Sequence, residues 1–169
     1  MIEHLPDRLD LYAMAEAGRE VRGRIKLASL TRVLPLLESD AGELDVVLSL
    51  GKDEGGTHTL TGSVSGSLLL QCQRCLESMD YPLQTTFRLG LVFSQDAAGD
   101  LPDSYEPLLV SREPAVIAEV VTEEVLLALP IVPLHEDRAD CRELKTDYAA
   151  SAGVERENPF AVLAQLKQK

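Results

Sequence analysis

Cys72 and Cys75, in the run Gln71-Cys72-Gln73-Arg74-Cys75, are the residues of this chain best suited to chemistry. Their spacing lets one tight turn present two thiolates to a single metal ion. It also suits a redox couple, which would want a helix N-terminus to depress the thiol pKa. No convincing helix start follows in Leu76 to Pro82. A metal needs two further ligands, and the obvious source is His135 with Cys141. Three thiolates and an imidazole would make a closed tetrahedral zinc site of the structural kind. The five residues between His135 and Cys141 are a loose spacing, so residue types alone leave zinc and unliganded cysteines both open.

Other patterns carry less. Gly62-Ser63-Val64-Ser65-Gly66 matches the nucleophile elbow, but that motif needs a sharp strand-to-helix turn. Here it lies inside an alternating run whose parity sends Ser65 to solvent. Glu113, Glu119, Glu123 and Glu124 share a helical segment and read as its wet side, with no partner implied for acid–base work. His58 follows inward strand parity and reads as a core or edge histidine, while His4 belongs to the terminus. No metal–carboxylate, cofactor-binding or nucleophile constellation is present, which points away from an enzyme.

The two cysteines sit between runs with a period of two. Before them His58, Leu60, Gly62, Val64, Gly66, Leu68, Leu70 and Cys72 alternate with small polar residues. After them Tyr81, Leu83, Thr85, Phe87, Leu89, Leu91 and Phe93 alternate with Gln84, Thr86, Arg88 and Ser94. Such patterns predict long antiparallel strands with one face on a core and one in water. Leu44, Val46, Leu48 and Leu50 give another strand, turning through Gly51 to Gly56, and Tyr105 to Val110 a further one after a polar loop over Ala97 to Asp103.

Leu9 to Arg19 predicts a short helix with Leu11, Met14 and Ala15 on one side, and Leu30 to Leu37 a helical piece limited to about two turns by Pro35. The main helix is expected from Pro114, at a first-turn position, to Leu129. Its apolar face would hold Val116, Ile117, Val120, Val121, Val125 and Leu127, and Pro130 would stop it. The fold class is therefore α+β: an antiparallel sheet of about five strands with one main amphipathic helix packed on it and short terminal helices. Residues 1–148 form one domain in this reading. Residues 149–169 form a linker, Ala149 to Gly153, and a short helical tail starting at Asn158-Pro159.

Composition narrows function. The net charge of −12 disfavours general attraction to nucleic acid or anionic lipid. The charge is uneven, because Arg19, Arg22, Arg24, Lys26 and Arg32 stand against Glu20 alone between positions 19 and 34. If Val21 to Leu27 is a strand, Arg22, Arg24 and Lys26 share one face at intervals of roughly 6–7 Å, a row suited to successive phosphates. The absence of Trp and an aromatic content of 4% argue against a base-stacking platform. Three cysteines are unsuited to a disulfide framework. The N-terminus has no apolar signal core, and Val125 to Leu134 is too short and too proline-broken to span a bilayer. A reduced, cytoplasmic protein without membrane contact is the expectation.

Several motifs occur in an order that resembles one family. These are Leu70-Gln71-Cys72-Gln73-Arg74-Cys75, Tyr105-Glu106-Pro107, Leu127 to His135 (LALPIVPLH) and Asn158 to Leu163 (NPFAVL). The chain resembles the large ribosomal RNA subunit accumulation family YceD from about Leu44 onward. That resemblance implies a non-enzymatic bacterial factor supporting synthesis, processing or stability of large-subunit (23S) ribosomal RNA, by binding the RNA or its precursor particle. It also implies Cys or His near positions 135 and 141, which favours zinc on Cys72, Cys75, His135 and Cys141. It assigns no RNA contacts. Charge alone nominates Arg22, Arg24 and Lys26, with Arg32 and Arg74, as phosphate contacts. The alternative is an acidic assembly chaperone whose negative face holds a basic ribosomal protein.

Overall fold

The computed structural model describes residues 4–141. The tail expected over 149–169 lies outside the described residues. In chain order the elements are β1 (Arg8–Leu9), α1 (Leu11–Glu16), β2 (Glu20–Lys26), β3 (Glu43–Lys52), β4 (His58–Gln71), β5 (Ser78–Val92), α2 (Gln95–Ala98), β6 (Glu106–Leu109), β7 (Ala115–Val116) and α3 (Ile117–Ala128). Strands β2-β3-β4-β5-β6 form one five-stranded sheet, and β1 pairs β7 in a small second sheet.

Alternation builds the large sheet. Leu44, Val46, Leu48, Leu60, Val64 and Leu68 are all at most 1% exposed and point to one face. Helix α3 covers that face with Ile117, Val121 and Val125, and α1 adds Leu11 and Ala15. The opposite face carries Ser49, Thr61, Ser63, Ser65, Gln84 and Thr86 toward water. Gly62 stands opposite Phe87 in the β4–β5 register, and the far end of the ring, Cζ with its two Cε neighbours, sits over it. A Cβ at Gly62 would sit 2.2 Å from the ring. Ser65 lies within β4, between Asp45 and Gln84, with no turn beside it.

The α+β class holds, with five differences from the sequence reading. Strand β6 runs parallel to β5, because α2 and the loop after it, where the polar loop was expected, carry the chain back along the sheet before it pairs. Phe93 falls beyond the end of β5 and is 53% exposed, its ring 5.0 Å from Tyr12 rather than in the core. Pro114 precedes β7 instead of opening α3, since Val116 is drawn into pairing with Arg8 and Ile117 N donates to Asp7 O. Leu127 projects off the buried side of α3 and is 71% exposed, whereas Glu124, expected on the wet side, is buried. The segment after β2 forms separate 3₁₀ turns, Leu27–Ser29 and Leu34–Leu36, with Leu30 and Val33 plugging the core between them.

The ring against Gly62 gives a stability test. Gly62→Ala must displace Phe87 and is expected to cost about 1–3 kcal/mol, read from urea unfolding at unchanged slope. A Phe87→Leu change in the same chain relieves the overlap and should return part of that loss.

Candidate metal centre

Strands β4 and β5 end their pairing at Gln71 and Ser78, leaving Cys72–Glu77 as the hairpin loop. Cys72 N donates to Glu77 O at 2.9 Å and Leu76 N to Cys72 O at 2.8 Å, so the loop folds back on itself. Leu76 takes the left-handed conformation (φ 60°) to close it, a strained setting for a branched side chain. Cys72 and Cys75 point inward and are buried.

The second half of the site comes from the segment after α3. Pro130 ends the helix, Pro133 keeps the exit extended, and Gln73 N donates to Pro133 O at 2.9 Å. That main-chain bond sets His135 over the hairpin loop. A short 3₁₀ turn, Arg138–Asp140, capped by the Asp137 carboxylate accepting from Ala139 N, then returns Cys141 to the same spot.

The four residues expected to share a site converge. Ligand atoms of Cys72, Cys75, His135 and Cys141 all lie within 4.8 Å of one another. Cys72 Sγ is 3.9 Å from Cys141 Sγ, and His135 Nδ1 is 3.5 Å from both Cys75 Sγ and Cys141 Sγ. Zinc bonds of about 2.3 Å to sulfur and 2.0 Å to nitrogen place tetrahedral edges at about 3.8 and 3.5 Å. The distances named fit that figure. The donor set is soft and borderline, the kind zinc takes in closed sites.

Electrostatics prepare the sulfurs. Burial opposes the Cys72 thiolate, but the backbone N–H groups of Cys75, His135 and Arg74 point at its sulfur and hold its pKa at about 5. Cys141 moves the other way: burial raises it, with the neighbouring Cys75 and Cys72 sulfurs adding to the rise. Arg74 Nη1 lies 3.6 Å from Cys141 Sγ and partly offsets them. Arg74, nominated for RNA by its charge, is thus engaged with the sulfur cluster.

The remaining cations divide. Arg22, Arg24 and Lys26 share the outer face of β2, each beside an acid or a polar neighbour. Arg22 Nε bonds Glu20 Oε1 at 2.6 Å, and Arg24 pairs Glu43 at 3.1 Å. Arg32 pairs Glu123 on α3, so it belongs to the helix-covered side and not to that row. Across the outer face, cross-strand register builds rows that reach from β2 to β5. One reads Arg22, Val47, Ser63, Thr86; the next Arg24, Asp45, Ser65, Gln84; a third Glu20, Ser49, Thr61, Arg88. Arg88 closes this hydroxyl-lined face at its far edge. Sequence reasoning missed it, although its place in the Gln84, Thr86, Arg88 alternation already put it there. His58, half-buried, bonds Glu16 at 2.6 Å and stacks on Tyr12 at 4.1 Å, a structural role. His4 is exposed, bridging the β2 edge at Arg24.

Comparison with known proteins adds the family. Residues 60–167 match the family described as Large ribosomal RNA subunit accumulation protein YceD. A Haemophilus influenzae protein of that name is 30% identical over 169 residues, covering 98% of this chain and 97% of its own length. No solved structure matches the chain significantly. Among the described residues no helix is long and apolar enough to cross a membrane.

The Cys72 shift has a signed consequence in metal-free protein. Its pKa is about 5 folded against 9.0 for an ordinary thiol, so its contribution to stability is complete above pH 9. That contribution falls progressively as pH drops to about 5 and is gone below. Thiolate absorbance near 240 nm should titrate with a midpoint near 5, and Cys72→Ser should remove both this midpoint and that pH dependence.

Proposed function

The chain belongs to the YceD family of large ribosomal RNA subunit accumulation proteins, and from that membership we propose a cytoplasmic, non-enzymatic factor of ribosome biogenesis. It associates with large-subunit ribosomal RNA, or with the precursor particle, through the outer face of its sheet. The observation that carries this reading is the face itself. Arg22, Arg24 and Lys26 along one edge and Arg88 along the other enclose rows of Ser and Thr hydroxyls on β4 and its neighbours. Cations neutralise phosphates and hydroxyls donate to phosphate and sugar oxygens, which positions a protein on RNA without reading its sequence. The low aromatic content fits contacts of that kind.

Two of the cations already have carboxylate partners in Glu20 and Glu43. Binding therefore exchanges exposed ion pairs, each worth little in water, for phosphate contacts. With a net charge of −12 around the patch, affinity stays moderate and falls steeply with salt, as suits a factor that leaves a maturing particle.

In this reading the four-residue centre holds zinc for structure. Cys72, Cys75, His135 and Cys141 fill all four tetrahedral positions, leaving none open for water or substrate. That closed set supports a non-enzymatic role. Its work is to clamp the β4–β5 hairpin to the segment after α3, which holds the sheet face in shape.

Protein purified without added zinc should carry about one zinc per chain by elemental analysis. Chelation at mild acid pH should lower the melting temperature by at least 10 °C, and Cys141→Ser should lose the metal. Full-length protein absent of metal, with an unchanged melting temperature on zinc addition, would sink the structural-zinc reading. Separately, Arg22→Glu with Arg24→Glu should weaken binding to a large-subunit RNA fragment tenfold or more in a filter or polarisation assay. The salt slope should flatten by about one to two units. Retained affinity in the folded double variant would exclude this face.

A further inference from the structure

Among the described residues, one buried carboxylate has no hydrogen-bond donor or cation beside it. It is Glu124 on α3, only 8% exposed. Burial, then the like charges of Glu106 and Glu123, push its carboxyl above the usual carboxylate range. It lines a cavity of about 730 Å³ between β5, the start of β6 and the end of α3. Neither the zinc centre nor the proposed RNA face uses this carboxylate.

The walls say what would fit there. Glu106, where β6 begins, pairs in register with inward-facing Leu89 and so shares the α3 side with Glu124. Phe87 offers an aromatic ring and Leu127 an exposed apolar surface. Arg88 also borders the cavity, but strand alternation sends it to the outer face, away from Glu124. Two carboxylates above an aromatic and an aliphatic wall suit a guanidinium on its methylene stem, with charge met by Glu106 and Glu124 and the stem laid on Phe87 and Leu127. A bare divalent ion would leave most of this volume and both apolar walls unused.

The backbone says how such a group would arrive. Strand β6 covers β5 only from Leu89 to Val92. From Ser78 to Arg88 the same edge of β5 has no strand neighbour and no backbone hydrogen bond on that side among the described residues. Consecutive residues Thr85, Thr86, Phe87 and Arg88 all line the cavity, as they can only where it runs along a strand's edge. An extended peptide added here would continue the line of β6 and drop a side chain beside Glu106 and Glu124.

We infer that this cavity and the open β5 edge form a docking site for an extended, arginine-bearing segment of a basic protein, seated by strand addition with its guanidinium between Glu106 and Glu124. The site goes beyond the RNA-face reading and stands without it. It gives the acidic-chaperone alternative a specific seat.

The test uses isotope-labelled full-length protein and a capped hexapeptide of alternating threonine and valine with one central arginine. Saturable amide shifts should appear along Tyr81 to Arg88 and at Glu106 and Glu124. Replacing the arginine of the peptide with glutamine should weaken binding at least tenfold, and so should Glu124→Gln in the protein. Glu106→Gln, at an exposed position, serves as the second variant and should also weaken it. Equal binding of the glutamine peptide, indifference to both variants, or the same shifts from magnesium chloride alone would each overturn the inference. Because Arg22 and Arg24 lie on the other face, loss of RNA binding in their variant leaves this result unaffected.

Discussion

The junction between the β4–β5 hairpin loop and the extended exit of α3 ties together two distant parts of the chain. Gln73 N reaches Pro133 O at 2.9 Å, and around that bond three sulfurs and one imidazole nitrogen gather within 4.8 Å. The junction joins residues 60 apart in the chain, from Cys75 to His135. A cross-link of that span removes loop freedom from the unfolded chain, and a metal bound there adds its binding energy to folding. The hairpin would otherwise end in a six-residue loop with a left-handed leucine, held by little besides its own hydrogen bonds.

Pinning the helix exit has consequences for both faces of the sheet. Helix α3 is held across the apolar side on β5, and Ile117, Val121 and Val125 share one buried core with Leu60, Val64 and Leu68. The other side is left open, with its hydroxyls and arginines in register across four strands. The same placement of α3 carries Glu124 into a buried setting next to Glu106. The fold thus has a cation-bearing outer face and, along the β5 edge where that face ends at Arg88, an acid-lined cavity. The uneven charge of the chain, acidic overall with one basic stretch, acquires a geometry from it.

Much of this was legible beforehand because the physical rule involved is local. Period-two alternation survives any tertiary arrangement that buries one face of a strand, so β3, β4 and β5 and their inward residues were readable from Leu44 to Leu91. Chemical type was equally informative at the centre: a close cysteine pair with another Cys and a His downstream admits few arrangements. Where the reading went astray, a non-local contact had intervened. Val116 has helical neighbours but pairs with Arg8, from the far end of the chain. Phe93 continues the alternation on paper, yet its strand stops one residue earlier and its ring turns to Tyr12. Leu127 and Glu124 exchanged their expected environments because the end of α3 meets the β5–β6 step rather than a flat sheet. Arg32 and Arg74, grouped with the basic row by charge, were claimed by Glu123 and by Cys141.

The residue string alone was sufficient for the strands, the two-faced sheet and the three cations sharing one side of β2, since each follows from spacing along a single segment, and for the grouping of Cys72, Cys75, His135 and Cys141, which follows from residue type. It could not supply the parallel direction of β6, the main-chain bond from Gln73 to Pro133, the engagement of each arginine or the burial of Glu124. Those depend on which distant segments come to lie together, and that is settled by packing the whole core at once, where a one-residue change in where a strand ends or a helix begins reassigns a side chain from water to protein.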